Sequence, residues 1–161
     1  MDKSNLEVVI LRGIPGSGKS TYAAELIAKG YMRINKDDIR QMLNNYDMNP
    51  EDEAIIHYVQ MSIIRILIKR GKNMVIDNRH TKTKYIKELI SFVHDRQAES
   101  GRDYAIRIKV LFPPLEECKR RNLLRERQVP EDVIDRMYEQ LYNSGIEDKF
   151  LMASDWPTLI N

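Results

Sequence analysis

An α/β fold, a central parallel sheet with helices on both faces, is what this sequence predicts. Three observations lead there. Short, β-branched apolar runs alternate with longer segments whose apolar residues recur at helical spacing. The strand-like runs are apolar almost throughout, as expected of strands covered on both sides. Polar groups gather just after three of them: the loop following Leu11, the Asp37-Asp38 pair and Asp77-Asn78. In open parallel sheets ligands bind beyond the carboxyl ends of the strands.

The first strand is expected over residues 7–11, Glu-Val-Val-Ile-Leu, with a glycine-rich turn after it. Residues 20–29 read as a helix with Tyr22, Ala23, Leu26 and Ile27 on one side and Gly30 as its stop. A second strand is expected over 31–34. A helix follows from Asp37 to Leu43, its first-turn acids favoured by the macrodipole. After a polar loop, Pro50 and the acids Glu51, Asp52 and Glu53 open a long helix with an apolar stripe through Ile56, Val59 and Ile63, ended by Gly71. The third strand spans 73–77 and carries Asp77 at its carboxyl end. A helix over 81–97 leads to a fourth strand over 104–112, stopped by Pro113-Pro114. A basic helix is expected over 115–127, a last helix from Val129-Pro130 onward, and a short edge strand at 158–160.

The 161 residues suit one domain, taken as residues 1–161. No run approaches the roughly 18 apolar residues of a membrane span. Met1 to Asn5 lead directly into the first strand, without the apolar stretch of a secretory signal. Cys118 is the only cysteine, so no internal disulfide forms, and a cytoplasmic location is expected. A net charge of +2 does not by itself imply a nucleic-acid partner.

Gly13-Ile14-Pro15-Gly16-Ser17-Gly18-Lys19-Ser20 matches the phosphate-binding pattern G-x-x-x-x-G-K-S/T, and it lies between a strand and a helix as that motif must. Glycine lets the backbone curl so that successive N–H groups point inward as an anion nest, and the helix N-terminus adds to the field. The whole loop, with Pro15, Gly16, Ser17 and Gly18, is the expected contact for a nucleoside triphosphate. Lys19 supplies a point charge for the β- and γ-phosphates. The Ser20 hydroxyl is suited to Mg²⁺, with Thr21 supporting the same corner. ATP and Mg²⁺ are therefore the expected ligands.

The reaction is narrowed by what surrounds this loop. No N-K-x-D tetrapeptide of the kind that reads guanine is present, and the length leaves no room for the insertions of motor ATPases. A compact P-loop NTPase kinase fold with a helical lid is expected. A kinase needs a base within about 3 Å of the attacking hydroxyl. Asp37 and Asp38 are the candidates, one for catalysis and the other for capping or support. Arg40 is suited to an anionic part of the acceptor. Asp77 fits an acid near the metal or its waters, or one that orients an arginine or the acceptor. Asn78 can offer its amide to a substrate oxygen. Arg79 and His80 are weaker candidates, His80 being expected as an exposed loop histidine. Arg121 and Arg125, four apart, share one face of the expected basic helix and can clamp phosphate oxygens. Arg120 and Arg127 are expected in solvent.

These motifs together resemble the kinase domain of phage-type polynucleotide 5′-kinases, over roughly residues 7–145. That family phosphorylates the 5′-hydroxyl end of DNA or RNA with ATP and magnesium. Its Asn-Arg-Asp-Asp-x-Arg motif stands here as Asn35-Lys36-Asp37-Asp38-Ile39-Arg40. Its Asp-Thr-Asn stands as Asp77-Asn78-Arg79, and its lid as Arg121-Asn122-Leu123-Leu124-Arg125 followed by Val129-Pro130. The resemblance implies Asp37 as general base, Arg40 as an acceptor-phosphate contact, Arg125 as the transition-state arginine, and Arg121 beside the nucleotide or Asp77. Asn78 and Arg79 depart from the family's threonine and asparagine, which leaves acceptor preference open. No Asp-x-Asp-x-Thr phosphatase motif is present. Two other readings fit the residues: a small-molecule, nucleoside or nucleotide-sugar kinase, and a nucleotide-switched binding module without transfer chemistry.

Overall fold

The computed structural model describes residues 6–44 and 49–152. In chain order the elements are β1 (Leu6–Arg12), α1 (Lys19–Ala28), β2 (Met32–Ile34), α2 (Lys36–Asn44), α3 (Pro50–Lys69), β3 (Met74–Ile76), α4 (Thr83–Ser100), β4 (Tyr104–Val110), α5 (Leu115–Leu123), α6 (Glu131–Asn143) and β5 (Lys149–Met152). The sheet runs β2-β3-β1-β4-β5, with the first four strands parallel and β5 antiparallel to β4.

β1 sits at the centre because both of its faces are apolar. Val8 and Ile10 join one core layer with Ile64 and Ile68 of α3, Ile86 and Ile90 of α4, and Ile134 and Leu141 of α6. Val9 and Leu11 face the opposite way and meet Ala23 and Leu26 of α1. The period of two along a strand, applied to a run with no polar break, therefore puts helices on both faces.

Local chemistry sets the helix starts. The Asn49 side chain accepts the Asp52 N–H at 2.9 Å and Pro50 takes the first position of α3, where its missing N–H costs nothing. Asn35 caps α2 by accepting the Asp38 N–H at 3.0 Å, so neither aspartate of the pair is the cap. Gly101, at φ 67°, closes α4 in the left-handed conformation that glycine adopts without strain.

Several boundaries differ from expectation. α5 stops at Leu123 instead of continuing to residue 127. The Asn122 amide pairs in both directions with the Val129 backbone, donating to its carbonyl at 2.9 Å and accepting its N–H at 3.0 Å, and this folds the chain back. α4 starts at Thr83, because residues 77–82 form a loop tied to neighbouring elements; the Ser144 hydroxyl, for example, donates to the Thr81 carbonyl at 3.0 Å. An edge strand that the sequence reading did not anticipate forms at 149–152, anchored by Asp148, which accepts from Val110 N at 2.8 Å and Lys109 Nζ at 2.6 Å. The expected strand at 158–160 lies outside the described residues. Among the described residues no helix is long and apolar enough to cross a membrane.

Ile10 is fully buried at the centre of the larger core. Ile10→Ala is expected to lower unfolding free energy by about 2–5 kcal/mol, read as a shift in urea midpoint at unchanged slope. A loss below about 1 kcal/mol would contradict a close-packed central strand.

Candidate active site

The turn after β1 carries the phosphate loop. Gly16 (φ 79°) and Gly18 (φ 95°) both adopt left-handed backbone. A Cβ at Gly16 would lie 2.4 Å from the Cys118 carbonyl oxygen, so α5 packs directly on the loop and only glycine fits there. Lys19 Nζ donates to the Ile14 carbonyl at 3.2 Å, curling back over the loop. The Ser17 hydroxyl oxygen is buried without a hydrogen-bond partner. Residues 15–22 line a cavity of about 540 Å³ together with Glu25, Leu111, Arg121 and Arg125. Arg121 is held there by Glu117 Oε1 at 2.7 Å, and its Nη1 donates to the Gly16 carbonyl at 3.3 Å. Arg125 reaches the same cavity from the loop beyond α5 rather than from a shared helix face.

A second cavity, of about 600 Å³, opens on the other side of the sheet's carboxyl edge. Asp37, Arg40, Asn78 and Arg79 line it, with Glu53 and Gln60 of α3. Arg40 is committed to two carboxylates: Nη1 donates to Asp37 Oδ1 at 2.6 Å, and Nη2 to Glu53 Oε1 at 2.7 Å. The Asn78 amide is committed as well. It accepts the Lys36 N–H at 2.9 Å and donates to Gln60 Oε1 at 2.6 Å, so it fixes the start of α2 against α3.

Asp77 lines neither cavity. It is 1% exposed and accepts from Arg33 Nε at 2.8 Å, while the other end of Arg33 bonds Asp38. Of the expectations for Asp77, orienting an arginine is the one this geometry displays, and Asp38 supports the same arginine from α2.

His80 is buried, against its expectation as an exposed loop histidine. The reason is that residues 77–81 fold back over the end of β1. His80 Nδ1 donates to the Leu11 carbonyl at 2.7 Å, so Nδ1 is the ring nitrogen that carries the proton. Burial, opposed by that hydrogen bond and aided by nearby Arg12, pushes its pKa down to about 4. Arg12 is the buried partner of this turn: Nε donates to the His80 carbonyl and Nη1 to the Gly145 carbonyl, each at 2.9 Å, and Nη2 bonds the Ser144 hydroxyl. Burial lowers the pKa of Arg12.

Arg12, Arg33, Glu53 and Gln60 escaped the sequence reading. Arg12 had a weak signal, a charge ending an otherwise apolar strand. Glu53 looked like one of three first-turn acids, and nothing in the spacing linked it to Arg40.

A family profile described as an AAA domain matches residues 8–143. The chain belongs to this family. A protein of Autographa californica nuclear polyhedrosis virus, described as a bifunctional polynucleotide kinase/RNA ligase, is 55% identical over 40 residues, 25% of this chain and 6% of the viral protein. Among solved structures, a chain of the Pnkp1/Rnl/Hen1 RNA repair complex superposes with a TM-score of 0.77 at 24% identity, covering 90% of this chain and 48% of that one. A gluconokinase from Sinorhizobium meliloti 1021 gives 0.52 at 20% identity, covering 84% and 74%. This AAA-domain chain thus has the fold of P-loop kinases, and it spans less than half the length of the viral protein and of the repair-complex chain.

The loop of this family member fits a triphosphate and its metal on its own geometry. The Ser17 hydroxyl is an orphan aimed at no protein group, and glycines keep the cradle open. Among the described residues no group of three or more His, Cys, Asp or Glu could hold a metal. The Ser20 hydroxyl on the loop is the kind of hard oxygen donor that Mg²⁺ takes together with phosphate oxygens.

Lys19 is partly exposed by area, yet its surroundings are dense. Desolvation lowers its pKa to about 8; Asp77 and Asp37 oppose this, while Arg79 and Arg125 reinforce it. A bound polyanion would favour the ammonium and raise that pKa. Below about 8 Lys19 is already charged; above it, binding must take up a proton. Affinity for a nucleoside triphosphate is therefore expected to fall as pH rises from about 8 to 9.5, by at most tenfold per unit. Calorimetry at pH 8.5 in buffers of different ionisation enthalpy should register net proton uptake, abolished in Lys19→Met. Affinity independent of pH across that window would contradict it.

Proposed function

We propose that this chain is a polynucleotide 5′-hydroxyl kinase that transfers the γ-phosphoryl group of ATP to the 5′-OH end of DNA or RNA. The observation that carries the proposal is the arrangement of two cavities on one sheet edge. One is built on a phosphate loop and the other holds a carboxylate, Asp37, whose charge acts on the loop lysine. The 40-residue likeness to the viral polynucleotide kinase/RNA ligase supports the choice of acceptor.

In this account the loop N–H groups, Lys19, Ser17 and Thr21 hold the triphosphate, and Arg121 and Arg125 bind it from the side of α5. Mg²⁺, held through Ser20, would supply positive charge to the phosphate oxygens. The 5′-hydroxyl oxygen attacks the γ-phosphorus, the bond from that phosphorus to the β,γ-bridging oxygen breaks, and the hydroxyl proton passes to Asp37. Asp37 is suited to this because Arg40, bonded at 2.6 Å, orients its carboxylate. Lys19 and Arg125 stabilise the charge on the transferring group. Asp77 acts from below by fixing Arg33.

One observation favours a second reading, a kinase for a small metabolite. The acceptor cavity is charge-balanced, with Lys36, Arg40 and Arg79 set against Asp37, Glu53 and Glu88, and is not a basic channel.

The test is transfer of label from γ-labelled ATP, with magnesium, to 5′-hydroxyl DNA, 5′-hydroxyl RNA, a nucleoside 3′-phosphate and a pool of small metabolites. Label on oligonucleotides, blocked by a pre-existing 5′-phosphate and reduced about 10²–10⁴-fold in Asp37→Ala with ATP binding retained, is the expected result. Label on a metabolite alone would establish the second reading. Free phosphate alone, unaffected by Asp37→Ala, would point to a nucleotide-switched module.

A further inference from the structure

Three cations line the acceptor cavity, and two are spoken for. Arg40 lies between Asp37 and Glu53, and Lys36 Nζ stands 3.8 Å from Glu53 Oε1. Arg79 differs. Among the described residues it forms no ion pair, and its hydrogen bond runs from Nη1 to the Met137 thioether at 3.6 Å. Sulfur is a weak acceptor that an oxyanion would readily displace. The side chain is exposed, and it lines the acceptor cavity and not the nucleotide cavity.

The backbone beneath Arg79 is fixed. Its carbonyl accepts the N–H of Gly13, the first residue of the phosphate loop, at 3.0 Å. The next residue, His80, holds a left-handed φ of 48°, uncommon for a non-glycine residue. Two buried hydrogen bonds, from Arg12 Nε to the His80 carbonyl and from His80 Nδ1 to the Leu11 carbonyl, hold that turn in place. Strain maintained by dedicated buried groups marks a position whose geometry matters. Here it presents a guanidinium at the boundary between phosphate loop and acceptor cavity.

We propose that Arg79 is the residue that binds the anionic part of the acceptor, the phosphate adjoining the sugar whose hydroxyl is phosphorylated, while Arg40 positions Asp37. The proposal rests on the phosphotransferase reading above. A planar guanidinium without a carboxylate partner can take two phosphate oxygens at once, a geometry that lysine lacks. The nucleotide has its own cations in Lys19, Arg121 and Arg125, so Arg79 is left for the acceptor.

The experiment compares wild type, Arg79→Gln, Arg79→Lys and Arg40→Gln on a nucleoside 3′-phosphate, the matching free nucleoside and a 5′-hydroxyl oligonucleotide. Nucleotide affinity is measured alongside. Arg79→Gln is expected to raise KM for the phosphate-bearing acceptors by about ten- to hundredfold, with kcat and nucleotide affinity near wild type. Arg79→Lys should recover part of the loss, and KM for the free nucleoside should not move. Arg40→Gln should lower kcat and leave the preference for a phosphate-bearing acceptor intact. A fall in kcat with unchanged acceptor KM in Arg79→Gln would overturn the proposal, as would loss of the phosphate preference in Arg40→Gln alone. Transfer to a phosphate-bearing small molecule but not to oligonucleotides, with the same Arg79 dependence, would overturn the nucleic-acid reading and support the Arg79 assignment. A wild-type preference for uncharged acceptors, or no transfer to any phosphate-bearing one, would overturn the assignment.

Discussion

The site depends on the parallel pairing of β1 with β3, in which Ile10 stands opposite Ile76. Both strands are buried, and their registered ends place the turn at residue 13 next to the turn at residue 77. A main-chain bond then locks the two turns together, Gly13 N donating to the Arg79 carbonyl at 3.0 Å, and another ties the second turn to its neighbour strand, Asp77 N donating to the Ile34 carbonyl at 2.9 Å. The second of these brings in β2, and with it α2 and Asp37. A slip of one residue in this pairing would exchange the two faces of the strands and separate the loops. The chemistry of the edge is therefore a consequence of core packing two residues away.

Charge is organised in tiers on that edge. Below lie groups with settled partners: Asp77 with Arg33, Arg12 among neutral oxygens, and neutral His80 on the Leu11 carbonyl. At the surface lie cations that lack a full complement of anions. Lys19 shows the effect most plainly, since desolvation and two arginines lower its pKa to about 8 despite two nearby aspartates. A group held in that condition gains from an incoming polyanion, the electrostatic form of preorganisation. Asp77 is bonded to Arg33, and its field at Lys19 only partly offsets the desolvation there.

The legible parts of this molecule were those with local signals. The apolar runs announced β1 to β4, and the glycine pattern announced the phosphate loop with its helix. Pro50 with the acids that follow it announced the start of α3. What stayed hidden depends on contacts distant in sequence. The end of α5 is set by Asn122 folding onto Val129, a bond that basic composition and helical spacing cannot reveal. The burial of His80 follows from a turn closing over β1, so a histidine in a polar stretch looked exposed. Arg40 and Asn78 each take one partner from α3, Glu53 and Gln60, which lie far from them in sequence and are not among the apolar residues that mark this helix. β5 is an edge strand held by one aspartate, with too few residues to show a period.

The central claim is that one sheet edge brings donor and acceptor together between the phosphate loop and Asp37. It is tested most directly by a crystal structure of the protein with a non-hydrolysable ATP analogue, magnesium and a short 5′-hydroxyl oligonucleotide. The account requires the analogue's phosphates in the loop, and the terminal hydroxyl in the second cavity within about 3 Å of Asp37 and in line with the γ-phosphorus. An oligonucleotide end bound elsewhere, or a second cavity closed by the nucleotide itself, would contradict it.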